Sequence, residues 1–446
     1  MNPKKYISSF VLLVSLISFS QEKWTLDECV AYAIEHNLQV KNTAFNNDSS
    51  KESYRQSVRD LLPSVSGYTD YTIRYGRSAD PQTNDFVNTD FFSNNYSLGA
   101  NLDLFRGFQK LNTIKATKFI YKATQEDVMQ QKFLLAFRVM RAFYDIQFYE
   151  GLVANSLEQL EISQGNFDLV QKQVELGIMA GADLYEAESN LLGDKLLVTQ
   201  NKNLLANAKL ILMQEMNLTD VDTIEIQETL EEVIPEQNEE VILDSIYQTA
   251  RNFVPLVKSQ EYRVTAAKKQ LHATRGSLFP SLSLVAGYGT SYFETNVDEN
   301  GNVIPFKTQF NDNTSKFVGA QLNIPISNGW SAHSRAKQQK IAYMQAKNNL
   351  EIQEQELFKL IQQLVQDNQA ILAEYDQSTQ KVKAQQLAFT IAQKRYEKGL
   401  INALELFQAK NLYGIAQNEN LQAALKLKVN QRTIDFYSGL PIFNIN

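Results

Sequence analysis

One cysteine, three histidines and nine prolines are all that 446 residues contain of these three types. A single thiol closes no intrachain disulfide, so Cys29 reads as a small buried apolar group on a helix. His36, His272 and His333 are scattered, and none has a second metal ligand at helical spacing, so no metal site is expected. Scarce proline and only 18 glycines, against abundant Gln, Asn, Lys, Glu, Leu and Ala, favour long helices. A basic excess is also missing. The net charge is −7, which argues against nucleic acid as a partner. There is no GxSxG, no phosphate loop and no GxGxxG, and the many acidic residues lie along helix faces, where solvated pairs are the usual arrangement. The chain is therefore expected to be no enzyme, with no catalytic residue and no cofactor.

Long apolar runs are absent as well. Lys4 and Lys5, the mostly apolar stretch Phe10–Phe19, and the small residues Ser18 and Ser20 predict a signal peptide over residues 1–20, cut before Gln21. No later segment is apolar for the length of a membrane helix. The exported chain is then either soluble or built to cross a membrane as a β-barrel. Its 20 tyrosines and 25 phenylalanines exceed what a soluble coiled coil needs.

What is present is a repeat. VELGIMAGADLYEA at Val174 returns as YEKGLINALELFQA at Tyr396, with Gly177 on Gly399, Asp183 on Glu405, Leu184 on Leu406 and Ala187 on Ala409. LDECVAYAIEHN at Leu26 returns at Leu243, LLPSVSGY at Leu61 as LFPSLSLVAGY at Leu278, and the segment ending at Gly107 as the one ending at Gly329. Four blocks in one order mean two tandem units, 21–235 and 236–446, joined by an acidic stretch.

Each unit has the same internal order. A helical stretch of about forty residues stops before Pro63 or Pro280, because the residue before proline leaves the α region. Two alternating segments follow, predicting β-hairpins over 64–105 and 281–326 with polar loops between their strands. Val65, Thr69, Tyr71, Ile73 and Tyr75 share one face of the first strand. Val318, Ala320, Leu322, Ile324 and Ile326 share one face of the last. Period two at this length fits transmembrane strands. Proline-free helices then run from about Phe108 to Leu176 and from about Ser331 to Lys398, each roughly 100 Å long. Gly177 and Gly399 cap them, and a second helix returns, so each tip region (177–183 and 399–405) closes a long helical hairpin. Four strands cannot close a barrel alone, so the chain must oligomerise, as a dimer of eight strands or a trimer of twelve.

Taken together, LDECVAYAIEHN, the paired LLPSVSGY and LFPSLSL, the segments ending at Gly107 and Gly329, and the paired tips resemble the TolC-like outer-membrane efflux proteins over essentially the whole mature chain. The resemblance implies a mainly α fold with transmembrane β. Long antiparallel helical hairpins would form an α-barrel, four strands per chain would enter a shared trimeric β-barrel, and each chain would hold two tandem structural repeats. It implies a homotrimer in outer-membrane lipid with a long periplasmic extension, docked on a periplasmic adaptor (a membrane fusion protein) and an inner-membrane pump. The implied function is passive exit of substrates. A type I protein-secretion duct is the alternative. A non-channel periplasmic coiled-coil scaffold is another, and it would lack lipid-facing strands.

The resemblance also implies a gate at the tips. Asp183 and Tyr396 are its partners, and Glu405 forms an acidic ring in the pore. Gln408 occupies the place of a second acidic ring, and Ile401 that of a basic gate residue, so part of the family's latch is absent. Leu176, Gly177, Ile178, Gly399 and Leu400 would be the adaptor-docking tips. The plainer readings are that Asp183 and Glu405 favour helix N-termini by roughly 0.3–1 kcal/mol, that Tyr396 packs between helices, and that the glycines only turn the chain.

Overall fold

The computed structural model describes residues 23–80, 84–88, 90–227 and 242–445. The expected signal peptide and most of the acidic joining stretch lie outside these residues. The elements are α1 (Leu26–His36), α2 (Leu38–Arg59), β1 (Ser64–Arg74), β2 (Arg77–Ala79), β3 (Phe86–Asn88), β4 (Phe91–Arg106), α3 (Gln109–Glu175) and α4 (Gly181–Met216). The second half supplies α5 (Leu243–Phe253), α6 (Pro255–Gly276), β5 (Ser281–Phe293), α7 (Phe306–Asp312), β6 (Ser315–Asn323), α8 (Ser331–Glu397) and α9 (Ala403–Tyr437).

Local chemistry explains the boundaries. The N–H of Glu28 donates to Thr25 Oγ1 (3.2 Å), and the Glu28 carboxylate accepts the N–H of Thr25 (2.8 Å), a capping box that starts α1. The forty-residue opening helix expected in each half is in fact two helices. Asn37 interrupts the first, its Oδ1 accepting the N–H groups of Gln39 (2.9 Å) and Val40 (3.2 Å) to start α2. Pro255 interrupts the second, because it supplies no N–H to α5 and suits the first position of α6.

The chain divides into two compact units. One, residues 1–44, 126–258 and 353–446, is helical among its described residues. Its core gathers Cys29, Ala33, Leu135, Val139, Phe143, Ile146, Leu212, Met216, Ile224 and Ile226. Burial pushes the Cys29 thiol up to about 12, so it stays a neutral apolar group.

The other unit, residues 45–125 and 259–352, holds an antiparallel sheet in the order β1-β4-β5-β6. The central pairing joins the last strand of the first half to the first strand of the second. Register puts Val65 opposite Ala100, Ala100 opposite Ala286, and Ala286 opposite Val318. One face is therefore predominantly apolar across all four strands, because residues directly opposite share a face. Val65 is 62% exposed and Val318 84% exposed, so this row of the face is uncovered within the single chain, whereas Thr290 and Tyr292 farther along it are buried, Tyr292 against Phe306. The opposite face carries Ser66, Ser97, Asn101 and Gln321, and Ser283 donates to Asp103 across it (2.9 Å).

Three details depart from the sequence reading. The strand β4 runs one residue past the expected hairpin end, to Arg106, and β6 stops at Asn323, leaving Ile324 and Ile326 outside it. Pro325 has no N–H to give a ladder. The polar loops also carry structure, the small β2–β3 hairpin in one and α7 in the other. Gln309, 1% exposed, fixes α7 to the end of β5. Its amide accepts from the N–H of Phe293 (3.0 Å) and donates to the carbonyls of Phe293 (3.0 Å) and Ile304 (2.7 Å), as a neighbouring strand would.

Candidate functional site

Both helical hairpins turn through the same motif. Gly177 has φ +74° and Gly399 +70°, the left-handed region that glycine reaches without strain. The N–H of Gly177 donates to Val174 O (2.9 Å) and that of Ile178 to Gln173 O (2.8 Å). At the second tip Gly399 donates to Tyr396 O (2.8 Å) and Leu400 to Arg395 O (2.9 Å). These paired bonds satisfy the last carbonyls of α3 and α8. Leu176, Ile178 and Leu400 remain 74%, 69% and 64% exposed, so each tip presents apolar side chains without burying them.

The two acidic candidates are used differently. The Asp183 carboxylate accepts the N–H of Ala180 (3.1 Å), closing the start of α4. At the start of α9 that work falls to Asn402, whose Oδ1 accepts the N–H of Glu405 (2.9 Å). Glu405 and Gln408 are exposed on one side of α9, while Leu406, Lys410 and Tyr413 form its buried stripe. Tyr396 packs on a small cluster of Phe389, Leu406 and Tyr413, beside Ile401. Its phenol is pushed above the ordinary tyrosine value, first by burial and then by the charges of Asp183 and Glu186. The charge of Asp183 on the first hairpin thus reaches Tyr396 on the second. Among the described residues the Tyr396 hydroxyl has no hydrogen-bond partner.

Sequence reasoning missed a charged group just behind the tips. Lys410 is 3% exposed, and its Nζ donates to Ser163 Oγ (2.6 Å), to the carbonyl of Gln159 (3.4 Å) and to the carboxylate of Asp194. The Ser163 hydroxyl donates to the same carboxylate. Burial pulls the Lys410 ammonium below the ordinary lysine value, while the hydrogen bond and charge of Asp194 pull it back up. Asp194 is 9% exposed, so the view of acidic residues as solvated helix faces fails here. A lysine standing between Leu406 and Tyr413 on the apolar stripe is the signal that marks the site in the sequence. No three His, Cys, Asp or Glu side chains converge among the described residues, and no described helix is long and apolar enough to cross a membrane.

The model of a family described as outer membrane efflux protein matches residues 30–217 and 246–440. The chain is 24% identical over 408 residues to the probable efflux pump outer membrane protein TtgC of Pseudomonas putida, covering 88% of this chain and 78% of that protein. It is 25% identical over 369 residues to the outer membrane protein TolC of Vibrio cholerae, covering 78% of this chain and 75% of that one. Its fold superposes on a crystal structure of CusC with a TM-score of 0.78 at 18% identity, over 93% of this chain and 92% of CusC. The CmeC outer membrane channel of Campylobacter jejuni gives a TM-score of 0.78 at 15% identity, over 93% and 85%. Two family matches, one on each half, meet a four-stranded sheet with an apolar face and paired helical hairpins: the chain belongs to the outer membrane efflux protein family, as an outer-membrane exit duct with a periplasmic extension.

Proposed function

We propose that three copies of this chain close one twelve-stranded barrel in the outer membrane. The copies continue as a helical tube that receives substrates from a periplasmic adaptor and an inner-membrane pump. The observation that carries this reading is the four-stranded sheet, apolar on one face and ending in two edge strands, β1 and β6, whose outer edges have no strand partner among the described residues. A lipid-exposed sheet edge has no water to satisfy it, so closure by further copies is the physical solution. The duct supplies no chemistry. Its two tandem repeats correspond to residues 21–235 and 236–446.

The internal pairing supports a specific junction between copies. Asn101 stands opposite Ser64, and Asn323 opposite Ser281, so Asn101 and Asn323 are equivalent positions. Leu98 pairs with Tyr288 inside the chain. Carried over to the next copy, that pairing places Ala320 opposite Tyr71, with Val318 opposite Ile73 and Leu322 opposite Thr69. All six belong to the apolar face, so the transferred register keeps that face continuous around the barrel.

At the helical tips, three copies of Glu405 around one axis form an acidic constriction, flanked by neutral Gln408 and steadied by Asp183 and Tyr396. Leu176, Gly177, Ile178, Gly399 and Leu400 offer the adaptor its apolar contact. Mass measurement of the detergent-purified protein in its native state tests the assembly. Three chains are expected, and a monomer or dimer as the sole species refutes it.

A further inference from the structure

Helices α3 and α9 meet along a seam that runs toward the tips. A methyl group on Gly151 would stand 2.6 Å from the end of the Leu421 side chain, so the glycine leaves the room that Leu421 fills. Asn155 Nδ2 donates to Asn418 Oδ1 (3.0 Å), and Gln159 Nε2 to Gln417 Oε1 (3.4 Å). Next comes Ser163, at the same four-residue spacing, with Lys410 against it. The amide contacts are neutral and can exchange for water at little cost, so they permit sliding or parting of the two helices. The last contact is different in kind. Lys410, Ser163 and Asp194 are all at least nine-tenths buried, and they lie on three helices, two from the first hairpin and one from the second. Parting them strands a buried ammonium and a buried carboxylate.

We propose that the Lys410–Asp194–Ser163 cluster is a clamp that positions the second helical hairpin on the first within each copy, and so sets the width of the opening at the tips. The inference rests on reading the tips as the constriction. Lys410 lies five residues past Glu405 on the opposite side of α9, about 7.5 Å along the helix. A group held there on both α3 and α4 fixes the first turn of α9 and the Glu405 it carries. With Ile401 offering no cation near the turn, Lys410 is the buried cation close behind it.

Single-channel conductance of the purified full-length protein in planar bilayers, without adaptor, tests the clamp. Lys410→Met should raise conductance about twofold or more and shorten closed intervals, because it shifts the population toward parted hairpins. Should that variant fail to assemble, the volume-matched pair Lys410→Met with Asp194→Leu removes both charges together and should assemble with the same raised conductance. Ser163→Cys with Lys410→Cys, oxidised to a crosslink, should return conductance to the parent value, and reduction should raise it again. Parent-like conductance in both the single and the paired variant overturns the proposal, as does a crosslink without effect. Glu405→Ala is measured alongside. If it changes selectivity while the Lys410 variants change nothing, the clamp fails and the tip reading survives. If the Lys410 variants widen the channel while Glu405→Ala leaves selectivity unaltered, the clamp stands and the acidic ring does not.

Discussion

Gly107 and Gly276 touch backbone to backbone: a methyl group added at Gly107 would stand 2.2 Å from the Gly276 carbonyl oxygen, and one at Gly276 would stand 2.6 Å from that of Gly107. The contact fastens the end of β4 in the first half to the end of α6 in the second. Gly107 also has φ +56°, so an alanine there meets strain as well as a clash. Gly107→Ala is expected to destabilise the protein by roughly 2–3 kcal/mol, measured as a shift of the unfolding midpoint. Gly329, its counterpart in the second half, has φ +61° and open space around it in the single chain. Gly329→Ala should therefore weaken the assembled trimer as much as Gly107→Ala does, if the neighbouring copy supplies the missing contact. A Gly329→Ala trimer as heat-resistant as the parent argues that no such contact forms.

The junction between copies can be read by crosslinking. Ala320→Cys with Tyr71→Cys should give covalent trimers on oxidation, because directly opposite side chains on paired strands come within roughly 5 Å. Ala320→Cys with Thr69→Cys, or with Ile73→Cys, puts the thiols on a diagonal about 7–8 Å apart and should react much more slowly. Faster reaction at either offset position would show that the internal register does not carry over.

Glu405 should govern ion selectivity. Its carboxylate is not needed for the helix cap, which Asn402 supplies, and it lies exposed on the first turn of α9. In the proposed trimer three such charges would stand near one axis and attract cations. Glu405→Ala should lower the cation-over-anion permeability ratio by about threefold, with little effect on stability. Asp183→Ala should instead cost about 0.5–1 kcal/mol, because Asp183 accepts a hydrogen bond at the start of α4. Equal selectivity in parent and Glu405→Ala channels would reduce Glu405 to a helix-end carboxylate.

The tip glycines separate folding from docking. Nothing lies within 4 Å of an added Cβ at Gly399, so a side chain there meets only the strain of its positive φ, about 1–2 kcal/mol. Gly399→Phe should assemble and insert normally yet leave cells that depend on this channel sensitive to its substrates. Gly399→Asn, which tolerates the left-handed conformation, should retain transport. Unimpaired efflux with phenylalanine at the tip would place adaptor contact elsewhere.

Much of this architecture was legible because its signals are local and occur twice. Alternation in Ser64–Arg74, the stop before Pro63 and Pro280, and Gly177 and Gly399 beyond long proline-free helices are each set within a few residues. The misses depend on groups distant in sequence or on backbone details. Asn37 breaks a helix through its own side chain, which composition does not reveal. Gln309 earns its place only once Phe293 and Ile304 are folded around it. Lys410 and Asp194 are 216 residues apart, so the sequence can show a lysine on an apolar stripe but not the carboxylate that meets it.

The open ends of the sheet have a consequence for the life of the chain before assembly. A newly exported copy carries two strands, β1 and β6, able to pair with any extended segment they meet, and an apolar face that water does not tolerate. If identical copies close the barrel as proposed, that completion and misassociation compete for the same edges. Folding is then a reaction of higher order in chain concentration, and dilution alone should unfold the native state.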